Sequence, residues 1–380
     1  MVTKIKNGKI ITDGKILHRK NLYITDGKIL DITEEEMEAD VVIDADNQYV
    51  SSGFIDIHCH GGAGFEFVDG TRESIVNACN IHLKNGTTTI YPTISAYNYS
   101  DTVKALEAVR KYGHDTEINI PGVHLEGPYF SEKQSGAQLP EFIKAPDKEE
   151  YEKLFSEYGD VISRWSYAPE LDGGKEFQDF LNRNGIVGSM GHTDAQYPYV
   201  KQAYDNGCRL VTHLYSCTST ITRRDGFRVL GVVECAYLFD DMYVEIIADG
   251  CHLPPELIKL VYKLKGEDRI CLVTDAIRFG GMNDVPDTDK YPYVIEDGVA
   301  KLKDKSAFAG SIATTNVLLR TCCKKADIPL ESGVKMITEI PARIMGLKNK
   351  GVLRQGYDAD IVIFDEDINI KKVLVNGQCV

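Results

Sequence analysis

The sequence predicts an α/β protein: a (β/α)8 TIM-like barrel with a small β-sandwich domain built from both termini. Three observations lead there. Eight short apolar runs with β character recur through the middle of the chain, helical patterns separate them, and both ends read as turn-punctuated strands. Eight strands, each followed by a helix, is the arithmetic of a closed parallel barrel, which gathers its functional groups at the C-terminal ends of the strands. A doubly wound sheet is the alternative arrangement of the same elements.

Residues 1–50 hold short β-type runs. "DGKIL" occurs at 13–17 and again at 26–30, before "VVIDADNQYVSSG". Asp-Gly suits a tight hairpin because both central positions need positive φ. The final stretch, "GVLRQGYDADIVIFDEDINIKKVLVNGQCV", has the same character, with Asn376-Gly377 as a further turn. Residues 1–50 and 348–380 are therefore expected to form the β-sandwich domain, and 51–347 the barrel. The eight barrel runs fall at 54–57, 88–94, 118–125, 161–167, 186–190, 209–214, 243–248 and 270–274. Between them, "DTVKALEAVRKYG" offers Asp101 as N-cap, an apolar stripe of Val103, Leu106 and Val109, and Gly113 as a stop. "PPELIKLVYKLKG" repeats the design, with prolines in its first turn.

A chain of 380 residues can bury one large core plus a satellite. Its net charge of −14 repels phosphate backbones, which argues against nucleic-acid partners. An anionic small substrate would need a local basic pocket. No apolar run approaches the roughly 18 residues of a membrane span, and "MVTKIKNGKI" lacks an apolar signal core. Ten cysteines without a C-x-x-C pair suit reduced thiols, so a soluble cytoplasmic protein is expected.

The chemistry gathers at the ends of the barrel runs. The first is followed by His58 and His60 in "GFIDIHCHGG", the third by His124 and Glu126 in "GVHLEGP", and the fifth by His192 in "GHTD". The sixth carries His213 in "THLYS", the seventh Asp249 and His252 in "ADGCH", and the eighth Asp275 in "TDA". Most of the nine histidines stand at these points. A single strand-end histidine is ordinarily a packed, hydrogen-bonded side chain, and Glu126 or Asp275 alone reads as a helix cap. Imidazoles and carboxylates converging on one rim, however, would be electrostatically wasteful without a cation. His58 and His60 share a strand face, so both can hold one ion while Cys59 points away. Mixed N/O donors suit zinc, iron, manganese or cobalt better than calcium or magnesium, and the set can serve one ion or two. Other nucleophiles lack their signatures. "VGSMGH" is not a G-x-S-x-G elbow, Cys251 and His252 diverge as neighbours, and no G-x-G-x-x-G or P-loop is present.

In order, "GFIDIHCHGG", "GVHLEGPYFS", "GHTDA", "THLYS", "IIADGCHL", "LVTDA", "FAGS" and "GYDADIV" make the chain resemble the amidohydrolase superfamily, and within it the N-acetylglucosamine-6-phosphate deacetylase family. The resemblance implies that Glu126, His192 and His213 bind the principal metal and that His58 and His60 help bind a second. It implies Asp275 as the catalytic acid/base and His252 as a substrate contact. Arg224 in "ITRRDG" matches an arginine that grips the sugar phosphate, in some members from the neighbouring subunit of a homodimer. Ala137, Gln138, Ser216, Cys217, Asp249, Gly250, Cys251, Phe308, Ala309 and Gly310 complete the implied substrate contacts. The implied reaction is metal-dependent removal of the N-acetyl group from an amino-sugar phosphate, with zinc or iron as the first-choice metal. N-acetylglucosamine 6-phosphate is the leading substrate. N-acetylgalactosamine 6-phosphate, an unphosphorylated sugar or another small amide is the alternative. Two departures bear on that choice: Gly136-Ala137-Gln138 stands where the family reads Gly-Ala-His, and Ser216 stands where it reads "HLYN".

Overall fold

Eight parallel strands form the central sheet of the computed structural model, which describes residues 1–380. In chain order they are β1 (Phe54–Cys59), β2 (Thr87–Ile94), β3 (Val123–Glu126), β4 (Ile162–Tyr167), β5 (Val187–Met190), β6 (Leu210–Val211), β7 (Tyr243–Ile246) and β8 (Ile270–Leu272). Each pairs with its neighbours in sequence. Beyond β8, a parallel bridge between Cys59 and Ala276 and the Asp275 N–H to His58 carbonyl bond of 2.9 Å bring the last strand's continuation back to β1. The sheet is thus a nearly closed barrel, and every apolar run overlaps one of its strands. The third is shorter than expected. Pro121 lacks an N–H for the ladder, so the segment before Val123 contributes only an isolated bridge from Asn119 to Thr89.

Seven helices make the crossovers: α1 (Arg72–Lys84), α2 (Tyr99–Tyr112), α3 (Lys148–Tyr158), α4 (Gly174–Arg183), α5 (Tyr197–Asp205), α6 (Val232–Leu238) and α7 (Pro255–Lys265). The cap of α2 differs from expectation. Asn98 is the N-cap and its side chain accepts from Asp101 N–H, so Asp101 occupies the first turn, where its carboxylate faces the positive end of the helix. Leu106 and Val109 are buried on the barrel side, and Gly113 closes the helix.

The termini build two further sheets. One orders Lys28–Thr33, Asn21–Thr25, Val2–Lys6 and Val41–Asp44; the other orders Gln378–Cys379, Ile370–Val375, Ile361–Phe364, Tyr49–Ser52, Lys9–Thr12 and Lys15–Leu17. Ile5, Leu22 and Ile24 from the first meet Ile10, Val50, Ile361 and Leu374 from the second in one buried cluster. The three turn signals behave as read. Asp13-Gly14, Asp26-Gly27 and Asn376-Gly377 all have positive φ at both positions.

The largest of the sheets not anticipated follows the eighth barrel strand. A three-stranded antiparallel sheet, Tyr293–Glu296, Val299–Leu302 and Phe308–Ser311, is inserted between β8 and α8 (Thr315–Arg320). "FAGS" is its last strand, and a bridge from Ala276 to Ser311 joins it to the barrel rim.

Candidate metal centre

Glu126, the last residue of β3, is the hub of the rim. Its Oε1 lies 2.9 Å from His213 Nε2 and 3.3 Å from Nε2 of both His192 and His58, while its Oε2 lies 3.3 Å from His60 Nε2. Asp275 Oδ1 is 3.4 Å from His58 Nε2 and 3.1 Å from His60 Nε2. Four imidazoles therefore turn the same ring nitrogen toward two carboxylates. His192, His213 and Asp275 reach these positions from left-handed backbone, with φ of +46°, +29° and +47°. Such conformations cost a non-glycine residue about 1–3 kcal/mol and persist where a site over-determines them.

The outer ring nitrogens are all engaged. His192 Nδ1 lies 2.9 Å from Gln134 O, His213 Nδ1 3.0 Å from Ser216 O, His58 Nδ1 3.3 Å from Glu245 Oε2 and His60 Nδ1 3.0 Å from Ser95 Oγ. A carbonyl or carboxylate can only accept, so Nδ1 carries the hydrogen in His192, His213 and His58. In the neutral ring this leaves the Nε2 lone pair facing inward, the arrangement of a metal-ligating histidine. His58 Nε2 is fully buried and makes no hydrogen bond. One donor atom each from His58, Glu126 and His213 lies within 4.8 Å of the others, as does one each from His58, His60 and Asp275. These residues fit a divalent cation.

The electrostatics agree. Burial favours neutral His58, but Glu126 and Asp275 outweigh it and raise its pKa to about 9. The same opposition, with Asp275 and Glu126 prevailing over burial, lifts His60 to about 10. Burial raises Asp275, yet His58 and His60 bring it down to about 2, and Glu126 is held well below its ordinary value. The cluster demands positive charge, which a cation meets while leaving the imidazoles neutral. His124 stands apart. It faces the barrel interior one layer below, bonded to Thr93 Oγ1 and Ser166 Oγ, and burial and Arg164 push its pKa well down.

A cavity of about 570 Å³ opens above this floor. Of the implied substrate contacts, Ala137, Gln138, Ser216 and Cys217 line it, and so do His252, Phe308, Ala309 and Gly310. Asp249 stands behind His252 instead, its Oδ2 2.8 Å from His252 Nδ1 and its Oδ1 accepting the Cys251 and His252 N–H groups. Gly250 and Cys251 form the turn between them and lie outside the lining. Arg224 lies on an exposed hairpin, Thr222–Arg224 with Phe227–Val229, away from this chain's cavity.

Several participants had no sequence signal. Arg278 lines the cavity, but its guanidinium is committed to Glu66 at 3.1 Å and Asp69 at 2.9 Å. Tyr291 and Tyr293 reach the wall through the unanticipated sheet and its approach. Arg164 on β4 and Glu245 on β7 pair inside the barrel beneath His58. Alternation along "ISRWSY" and "YVEI" could have flagged these two as inward-facing charges.

The amidohydrolase family is matched over residues 49–380. The N-acetylglucosamine-6-phosphate deacetylase of Lysinibacillus sphaericus is 31% identical over 384 residues, covering 98% of this chain and 96% of that protein. The crystal structure of the Pasteurella multocida N-acetylglucosamine-6-phosphate deacetylase superposes with a TM-score of 0.93 at 27% identity, over 100% of both chains. A mutant of the Mycobacterium smegmatis enzyme of that name, solved in complex with N-acetyl-D-glucosamine-6-phosphate, superposes with a TM-score of 0.90 at 26% identity, over 100% of this chain and 98% of that one. With a metal-ready rim on a matching barrel and relatives aligned almost end to end, the chain belongs to the amidohydrolase family and, within it, to the N-acetylglucosamine-6-phosphate deacetylases.

Proposed function

We propose that the chain is a metal-dependent hydrolase that removes the acetyl group of N-acetylglucosamine 6-phosphate, giving glucosamine 6-phosphate and acetate. The observation that carries this is the inward convergence of four imidazole Nε2 atoms on Glu126 and Asp275 under one cavity. The names of the relatives support the substrate. Glu126, His192 and His213 hold the principal ion, and His58 and His60 contribute to a second, with zinc or iron the best match to the donors. When bound, such a cation polarises a carbonyl and lowers the pKa of water.

Asp275 is the catalytic acid/base. Its carboxylate takes the proton that water loses on attacking the acetamide carbon, then returns it to the amine nitrogen as the C–N bond breaks. His252, steadied by Asp249, presents Nε2 to the sugar, and Gly250 and Cys251 shape that turn. Ala137, Ser216, Cys217, Phe308, Ala309 and Gly310 contact the sugar, with Gln138 beside them. Arg224 grips the phosphate across a homodimer. Its hairpin is exposed, with Phe227 at 76%, which suits burial against a second copy. A cytoplasmic location fits ten free cysteines, and no helix is long and apolar enough to cross a membrane. Residues 1–50 and 348–380 act as a β domain with their own core, and residues 51–347 as the catalytic barrel.

Purified, metal-loaded protein is expected to release acetate from N-acetylglucosamine 6-phosphate, to lose activity to a chelator and to regain it with zinc or iron. No acetate from metal-replete protein would overturn the substrate. A second reading is the same chemistry on N-acetylgalactosamine 6-phosphate, favoured by the shorter Ser216 hydroxyl where the family reads Asn, or on an unphosphorylated N-acetylated sugar, favoured by the commitment of Arg278 to Glu66 and Asp69. Relative rates across those sugars separate the two.

A further inference from the structure

Gln138 lines the cavity, yet both ends of its amide are already used. Its Oε1 accepts from Ala96 N–H at 3.1 Å, and its Nε2 donates to Glu126 Oε2 at 2.8 Å. The neighbours leave no choice of orientation. A backbone N–H can only donate and a carboxylate only accept, so a flipped amide would oppose donor to donor and acceptor to acceptor. Glu126 then divides its oxygens. Oε1 faces His192, His213 and His58, while Oε2 faces His60 and Gln138.

The last torsion of a glutamate is broad and roughly two-fold, so a carboxylate needs an external contact to hold its plane. Gln138 supplies one, and its own support is local. Its N–H donates to Ser135 O at 3.0 Å, in the same loop whose Gln134 carbonyl receives His192 Nδ1 at 2.9 Å. Its other anchor, Ala96, follows Ser95, whose hydroxyl meets His60 Nδ1 at 3.0 Å. One loop and one strand end thus orient His192, Glu126 and His60 together.

We infer that Gln138 is a positioning residue of the metal centre: by holding Glu126 Oε2 it keeps Oε1 aimed between His192 and His213, and it acts on metal affinity rather than reading the sugar. The inference rests on the metal reading proposed above. It also accounts for the glutamine. An uncharged amide can bridge a backbone N–H and a carboxylate without altering the charge that the cluster presents to a cation.

The test uses Gln138→Leu and Gln138→Met, which keep bulk and remove both hydrogen bonds. Parent and variants are stripped of metal, checked for the same cooperative thermal unfolding, and titrated with zinc against a chromogenic chelator. Loss of an outer contact of this kind typically costs about 10–100-fold in metal affinity. That loss is expected in both variants, with kcat lowered at limiting zinc and KM for N-acetylglucosamine 6-phosphate within about threefold of the parent. Zinc affinity within about twofold of the parent, with KM raised about tenfold, would overturn the inference and make Gln138 a sugar contact. A parent that takes up no zinc overturns the metal reading and this inference with it, whereas unchanged variants of a zinc-binding parent overturn the positioning role alone.

Discussion

Asp275 has almost no freedom at the residue scale. It is 8% exposed, its backbone is left-handed, and its N–H donates to the His58 carbonyl. Asparagine fits the same space but cannot take a proton from water. Asp275→Asn is therefore expected to retain bound metal, measured by elemental analysis, while acetate release falls by about 10²–10⁴-fold. Turnover at the parent rate would remove Asp275 from the role. Arg224→Ala leaves the metal cluster untouched, so it should raise KM for phosphorylated sugars and leave unphosphorylated ones unchanged. Equal effects on both would place the phosphate elsewhere. At this scale the strand-end groups His58, His60, Glu126, His192, His213 and Asp275 were legible because each follows an apolar run that ends at the rim. Ser95 and Gln134 were not. Each meets an imidazole that only the folded rim brings close, which leaves no trace in local spacing.

Elements meet through their ends, and α6 and α7 show how. Lys265, the last residue of α7, donates to the carbonyls of Ala236 at 2.8 Å and Phe239 at 2.9 Å where α6 stops. Burial, aided by Arg269, lowers its pKa to about 8 from an ordinary 10.5. Between those values the unfolded chain binds a proton that the folded chain has lost, so this lysine makes stability rise with pH across that window. Chemical denaturation at pH 8 and pH 10 should show the parent gaining stability relative to Lys265→Met as pH rises; parallel behaviour would refute the shift. The helices and barrel strands were legible from periodicity and caps, with an error of three residues at Asn98. The inserted sheet was missed although Asp297-Gly298 carries the same turn signal as Asp13-Gly14, with φ of +53° and +80°. Its strands are short and half-exposed, so they lack the continuous apolar runs that marked the barrel.

The whole molecule keeps a concentrated charge cluster on a buried floor. A cation bound there would neutralise Glu126 and Asp275 at the barrel mouth; without one, they draw protons onto His58 and His60. A ligand that binds only the folded chain stabilises it by mass action, so chelation should lower the melting temperature and added zinc restore it. A melting point indifferent to chelator would argue against a bound metal. The barrel was legible from the count of strands, and the terminal sheets from their Asp-Gly turns. Their interleaving was not, because nothing in residues 1–50 shows that Tyr49–Ser52 will lie between Lys9–Thr12 and Ile361–Phe364.

That interleaving gives the chain a birth order. Ile10 and Val50 leave the ribosome early, but the partners that cover them, Ile361 and Leu374, are synthesised more than 300 residues later. At about 5–20 residues per second the wait is on the order of tens of seconds. During it, the strand Tyr49–Ser52 has an unfilled edge, open to chaperones or to a neighbouring nascent chain. Translation halted before residue 361 would release a product with every histidine and carboxylate of the rim cluster and no closing sheet, and solubility assays on chains ending at 345 and at 380 should separate sharply.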